Sequence, residues 1–369
     1  MKTIGIGTRP LARVVCLLGL ASFPALVGCG STRAVDSFML IFPVASNNTL
    51  AARWLNRSTG QWDGTGAQPP PGAHGDGVGG AGGEGSLLSI LSWTANAQLY
   101  FAWGIGAIFD QHYVATMSQQ IAASAPVVVG APDSSGWLLA FRTTGNTVAL
   151  RHYNTDTQSF TDFDYAPTQG AGNDNADGRP ALARLATKVV LAWQRGSEIR
   201  VAVGTVDHHG KPTSWDQKFG LGFPNDNRGC YGNPREPALT AAGGQFYLAI
   251  RRSTVRCPSD TGTFLSRDDV FLFASPDGTT WQPNQPVGVR GNVVIPFATI
   301  GLAGWTDGTI LLGVVSTGTN KYELYKYRNG TWTTLSAPQV FGTAPAPGTP
   351  FALYSYAWFM DSNATPAPF

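Results

Sequence analysis

The sequence predicts an all-β protein, a six-bladed β-propeller whose last blade is closed by N- and C-terminal strands, and three recurring markers predict it. The first is an apolar segment with Ala or Gly before its last large residue: L-Y-F-A-W-G (Leu99 to Gly104), W-L-L-A-F-R (Trp137 to Arg142), V-V-L-A-W-Q (Val189 to Gln194), F-Y-L-A-I-R (Phe246 to Arg251) and I-L-L-G-V-V (Ile310 to Val315). The second is a proline opening a shorter apolar run, at Pro126, Pro180, Pro237, Pro296 and Pro350, with Ser86 as an earlier member lacking the proline. Proline suits the first residue of a strand, where no ladder donor is lost. The third is a polar turn followed by an aromatic, ending at Trp62, Phe160, Trp215, Trp281 and Trp332, with a blurred copy near Asp110. Units of roughly 54–59 residues holding four short strands are the signature of propeller blades.

Residues 1–28 read as a secretory leader. Lys2, Arg9 and Arg13 precede an apolar run too short to cross a membrane as a stable helix. Leu26 to Cys29 reads L-V-G-C, the form of a bacterial lipoprotein signal, which predicts cleavage before Cys29 and lipidation of that cysteine; an ordinary leader with an incidental cysteine is the alternative. A tether at 29–36 then leads into a propeller spanning 37–369. The expected location is the bacterial cell envelope, at the outer membrane or cell surface, held by the lipid anchor.

S-F-M-L-I-F-P-V from Ser37 and T-L-A-A-R-W-L from Thr49 are strands without a unit of their own, and F-A-L-Y-S-Y-A-W-F-M from Phe351 is all that remains of the sixth. Together they make one blade and lock the ring. Gly64 to Gly85, a Gly/Pro-rich stretch with almost no apolar content, is expected to be a flexible excursion between blades.

The chain carries 45 Gly and 25 Pro, so turns are abundant and long helices are not expected. Its 25 basic residues balance 23 acidic ones, and loss of the leader removes three of the basic ones, which argues against nucleic-acid partners. Cys230 and Cys257, in an exported protein, are expected to form a disulfide, with two unpaired buried thiols as the alternative. No histidine near them is spaced to complete a zinc site.

Ser275 to Trp281, S-P-D-G-T-T-W, resembles the Asp-box of sialidase-like propellers, S-x-D-x-G-x-x-W, with one residue fewer between Asp277 and the tryptophan. Arg235 to Arg252 resembles the sialidase segment in which a glutamate opens an inner strand and an arginine closes the next, here Glu236 and Arg251. The resemblance implies a glutamate that activates a tyrosine nucleophile and an arginine that grips a substrate carboxylate. A planar guanidinium binds carboxylate bidentately, and a tyrosine attacks only with a base beside it. Slots equivalent to these hold Arg142 and Arg179 in neighbouring blades, so Arg142, Arg179 and Arg251 with Glu236 form a candidate anion-reading cluster. The alternative is that these are surface residues in loops or ion pairs, such as Arg179 with Asp177.

The chain departs from the sialidase pattern at several positions. Ser86 has no arginine before it, Phe297 stands where the tyrosine nucleophile falls, and no aspartate is marked as the general acid. Tyr322 or Tyr354 serves only if the fold brings one to Glu236. Asn173, Asn175 and Asp177 alternate like the start of a calcium loop without its closing glutamate, so a plain Asx-rich turn competes with calcium, and no other cofactor or metal is expected. His208 and His209 read as an inert exposed turn, and Trp103, Trp137 and Trp193 as blade core. The expected function is binding of a glycan or another small anionic ligand at the axial face, by a monomer. A sialidase-type glycoside hydrolase and a protein-interaction scaffold are the alternatives.

Overall fold

A strand whose two faces are both apolar must be covered on both sides, and the second strands of this chain are of that kind. The computed structural model describes residues 32–44, 47–56, 60, 62–63, 77–82, 88–95, 98–105, 108–109, 124–131, 135–157, 159–160, 164–165, 175–221, 231–256, 268–283, 297–316, 322–335 and 350–361. The chain divides into a unit comprising Met1–Val35 with Phe359–Phe369 and a unit, Asp36–Trp358, that carries the ring. Among the described residues there are strands and turns and no helix.

Six sheets follow one another in chain order. The first holds β1 (Thr32–Pro43), β2 (Leu50–Asn56) and β3 (Trp62–Asp63). The second holds β4 (Gly77–Gly82), β5 (Leu88–Ala95), β6 (Gln98–Ile105) and β7 (Ile108–Phe109). The third holds β8 (Val127–Gly130), β9 (Gly136–Arg142) and β10 (Val148–Asn154), whose far edge pairs with both β11 (Ser159–Phe160) and β12 (Asp164–Tyr165). The fourth holds β13 (Ala181–Leu185), β14 (Lys188–Arg195), β15 (Glu198–Val206) and β16 (Pro212–Leu221). The fifth holds β17 (Tyr231–Ala242), β18 (Gln245–Arg256), β19 (Asp269–Ser275) and β20 (Gln282–Pro283). The sixth holds β21 (Phe297–Gly304), β22 (Ile310–Ser316), β23 (Tyr322–Arg328) and β24 (Thr331–Leu335). The last strand, β25 (Ala352–Asp361), returns to the first sheet and pairs with β1 as its innermost strand. This is a six-bladed β-propeller in which both chain ends complete one blade, as expected.

The core is six apolar clusters, one at each interface between neighbouring blades. Side chains of successive strand residues point to opposite faces. Phe38, Leu40 and Phe42 of β1 therefore join Leu311, Val315 and Tyr322 of the sixth blade, while Met39 and Ile41 join Val78, Leu91 and Trp93 of the second. Val189, Leu191 and Trp193 of β14 likewise face the third blade, and Val190 and Ala192 the fifth. Burial on both faces accounts for the uninterrupted apolar markers. Trp137 and Trp193, each 1 % exposed, are blade core.

Among the described residues the polar-turn marker lies between the third and fourth strands, and the blurred copy near Asp110 lies outside them. Phe160, Trp215, Trp281 and Trp332 each pack against the cluster shared with the preceding blade. In the Ser275–Trp281 turn the Asp277 carboxylate accepts from the backbone N–H of Thr279 (2.8 Å) and Thr280 (3.0 Å), and Trp281 Nε1 donates to the Gly278 carbonyl at 2.8 Å. Gly278 has φ +82°, and a Cβ there would lie 2.6 Å from Val190 of the fourth blade. The turn is thus a wedge between blades.

The second blade departs from the sequence expectation. Gly77–Gly82, inside the stretch expected as a flexible excursion, is its innermost strand, paired with β5 from Gly77↔Thr94 to Gly82↔Ser89. Leu99 to Gly104 consequently lies on the third strand, β6, whereas its counterparts lie on the second strands β9, β14, β18 and β22. Ser86, Cys29, Cys230, Cys257 and Asn173 lie outside the described residues, as does the side chain of Trp103.

Candidate functional site

All innermost strands begin at one end of the ring axis, here called the leading end, and finish at the trailing end. Glu236 stands at the leading end as the extra residue of a β-bulge: Arg235 pairs with Arg251 and Pro237 with Ile250, with the register shifting between them. A second bulge lies beside it in β21, between Phe297 and Thr299. Bulges re-aim side chains. Here they bring Thr299 Oγ1 to donate to Glu236 Oε1 at 2.5 Å, with the Ile300 N–H as a further donor.

Glu236 keeps some accessible surface although protein surrounds it. Burial pushes its carboxyl above the usual range. The Thr299 hydroxyl, Arg251, Arg179 and the Ile300 N–H each pull it back without cancelling the rise.

Arg179 comes from the lead into β13 and crosses the axis. It donates from Nη1 to the Phe351 carbonyl (3.2 Å) and from Nη2 to those of Val78 (3.2 Å) and Pro126 (2.9 Å), so one guanidinium ties the first, second and third blades to the fourth. Burial lowers its pKa to about 10, with Glu236 opposing. The glycines of β4 make this possible. A Cβ at Gly79 would lie 2.0 Å from the Pro126 carbonyl oxygen and 3.3 Å from Arg179 Nη2, and one at Gly80 would meet the Tyr354 ring at 2.5 Å.

The fold therefore assembles Glu236, Arg251 and Arg179, as the slot argument expected. Arg179 does not pair with Asp177, whose carboxylate accepts from the Gly196 N–H instead. Arg142 ends β9 and donates to Asn146 Oδ1 at 3.1 Å within its own blade; it is not among the partners of Glu236. Among the described residues no tyrosine is either. Tyr322 is a core ring beside Phe42 and Phe351, its hydroxyl pKa raised by burial, and Tyr354 is buried against the first and second blades. Phe297 opens β21, and its side chain lies outside the described residues.

Sequence reasoning missed two features. Arg252 and Asp269 form a bidentate pair across β18 and β19, Nε to Oδ1 at 2.8 Å and Nη2 to Oδ2 at 2.6 Å, with Arg252 1 % exposed and set over the Phe271 ring. The signal was an arginine doublet, Arg251 and Arg252, facing an aspartate doublet, Asp268 and Asp269. At the trailing end, His209 is no bystander: its carbonyl lies 2.7 Å from Nε2 of buried His152 and its Nδ1 2.5 Å from Ser135 Oγ, which clasps the fourth blade to the third. Among the described residues no group of three His, Cys, Asp or Glu is placed to hold a metal.

No protein-family model and no curated protein sequence matches the chain. Solved structures do. The BP39L lectin from Burkholderia pseudomallei is 13 % identical, with a TM-score of 0.52 over 84 % of this chain and 99 % of that one. The SapL1 lectin in complex with α-methyl fucoside is 12 % identical, with a TM-score of 0.53 over 86 % and 96 %. TolB from Acinetobacter baumannii is 9 % identical, with a TM-score of 0.51 over 86 % of this chain and 66 % of its own. At these identities the likeness shows the fold, a six-bladed propeller.

Proposed function

We propose that this propeller is a glycan-binding protein of the cell envelope, tethered through Cys29, which reads an anionic sugar at the leading end of its axis. The observation that carries the proposal is the company of Glu236: two arginines, a threonine hydroxyl and a backbone N–H, and, among the described residues, no tyrosine. A sialidase needs a nucleophile for that carboxylate to activate; a binding site needs only the arginine. Arg251 is the ligand-gripping residue, Glu236 joins it to Arg179, and the Ser275–Trp281 turn, Asp-box-like in sequence, belongs to the scaffold. Rings of this fold that serve as lectins, among them BP39L and SapL1, make such a use familiar.

A glycan array with the purified ring, followed by titration of the best anionic hit, tests the reading. Arg251→Ala should weaken binding by about 2–3 kcal/mol, the loss of a charge-assisted pair, and Glu236→Gln by under about 1 kcal/mol. Hydrolysis of a fluorogenic sialoside that Glu236→Gln abolishes would replace binding with catalysis. Binding that survives Arg251→Ala would move the site elsewhere on the ring.

A further inference from the structure

Arg235 lies outside the slots that predict the anion-reading cluster, yet the register of β17 and β18 sets it opposite Arg251. Its side chain shares a face with that arginine. Arg235 Nε donates to Ser253 Oγ at 3.3 Å, and Ser253, two residues beyond Arg251 on β18, projects to the same side of the strand. That side faces the sixth blade, where Tyr247 and Ala249 of the same row pack and where Thr299 reaches Glu236. Arg252, between Arg251 and Ser253, turns the other way to Asp269.

The two facing arginines differ in depth. Arg251 is half-buried beside Glu236, whereas Arg235 is exposed. Among the described residues Arg235 belongs to no ion pair, and its side chain makes one hydrogen bond, the one to Ser253. That bond steadies the stem and leaves both Nη groups turned to solvent. Opposite residues of an antiparallel pair have Cβ atoms about 4.5–5.5 Å apart, and like charges there oppose the pairing unless an anion answers them. Glu236, the bulge residue between Arg235 and Pro237, answers Arg251 and Arg179. For Arg235 the structure supplies a planar fork of donors at a fixed place on the rim, the geometry that an incoming oxyanion accepts. The step from the inner fork to the outer one is about the span of a single pyranose ring.

Building on the reading of Arg251 as the ligand-gripping residue, we propose that Arg235 is a second anion-contacting residue, so that the leading end selects a glycan acidic at two adjacent sugar residues. One acid group lies against Arg251, and the next one outward lies against Arg235.

Three probes test this by calorimetric titration into the full chain carrying Cys29→Ser: galacturonate, digalacturonate, and an aldobiouronate, a disaccharide acidic at one residue only. Digalacturonate should bind at least about fivefold more tightly than galacturonate, the upper range for an exposed charge pair, and the aldobiouronate should bind like galacturonate. Arg235→Gln should remove the advantage of digalacturonate and leave galacturonate within about twofold of its parent affinity. Arg251→Ala should weaken all three at least about tenfold. An advantage that survives Arg235→Gln, that the aldobiouronate shares, or that vanishes only because galacturonate weakens equally would overturn the inference and leave Arg251 in its place. Absence of binding by all three at millimolar concentration would overturn it too. Binding indifferent to Arg251→Ala would remove the reading of Arg251 and this inference together.

Discussion

His152 is 4 % exposed, and burial lowers its pKa; the His209 carbonyl and Asp207 oppose that shift, while Lys211 and His209 add to it. The fold thus prefers the neutral ring. As pH falls through about 6.5 the unfolded chain takes up a proton that the folded chain refuses, so stability declines by up to about 1.4 kcal/mol per pH unit until the folded ring itself titrates. Denaturant melts at pH 7.5 and 5.5 should show this loss, and His152→Gln should flatten it. At the leading end the equivalent sensitivity is steric. Gly79→Ala forces a methyl into the Pro126 carbonyl and should cost about 3 kcal/mol or more, read as a lower denaturation midpoint. Glu236, Arg251 and Arg179 were legible as a cluster because strand ends in equivalent slots converge on the axis. That Arg179 answers three carbonyls was not, because backbone acceptors leave no trace in a sequence.

The third-to-fourth-strand turns are the elements that seat one blade on the next. Asp277 holds two backbone N–H groups and the Ser275 hydroxyl, and these bonds set its carboxyl far below the usual range. A depressed carboxyl contributes stability above its unfolded pKa, near 4, and loses that contribution as pH falls below it. Asp277→Ala should cost about 1–2 kcal/mol at neutral pH, the value of a side-chain cap, and the difference from the parent should shrink in acid. These turns and the second strands were readable because a doubly buried strand is apolar without interruption and a turn needs Asx, Gly and an aromatic stop. The innermost strand β4 was not. Glycine carries no hydrophobic signature, and a run selected for close approach to Arg179, Pro126 and Tyr354 looks the same as a loose linker.

On the scale of the whole molecule, the six clusters form a closed circuit in which every blade covers two others. The circuit depends on β25, whose removal would uncover the innermost edge of β1 and part of the two clusters that Phe351–Tyr354 joins. A chain ending at Phe351 should therefore lose its cooperative melt, monitored by circular dichroism, rather than shift it by a few degrees. The proposed envelope attachment is a separate matter of one atom: Cys29→Ser should move the protein from the membrane fraction to the soluble fraction, and unchanged fractionation would remove the lipid anchor from the account.

The meeting of the two ends in one sheet also sets a timetable. β1 and its inner partner β25 are separated by about 300 residues, so at roughly 5–20 residues per second of synthesis β1 waits on the order of 15–60 s for that partner to exist. Throughout that interval the alternating apolar residues of β1, Phe38 to Phe42, have neither the sixth blade nor β25 to cover them. Strand β1 is thus among the last to be finished, and a nascent chain of this kind stays adhesive until β25 is released.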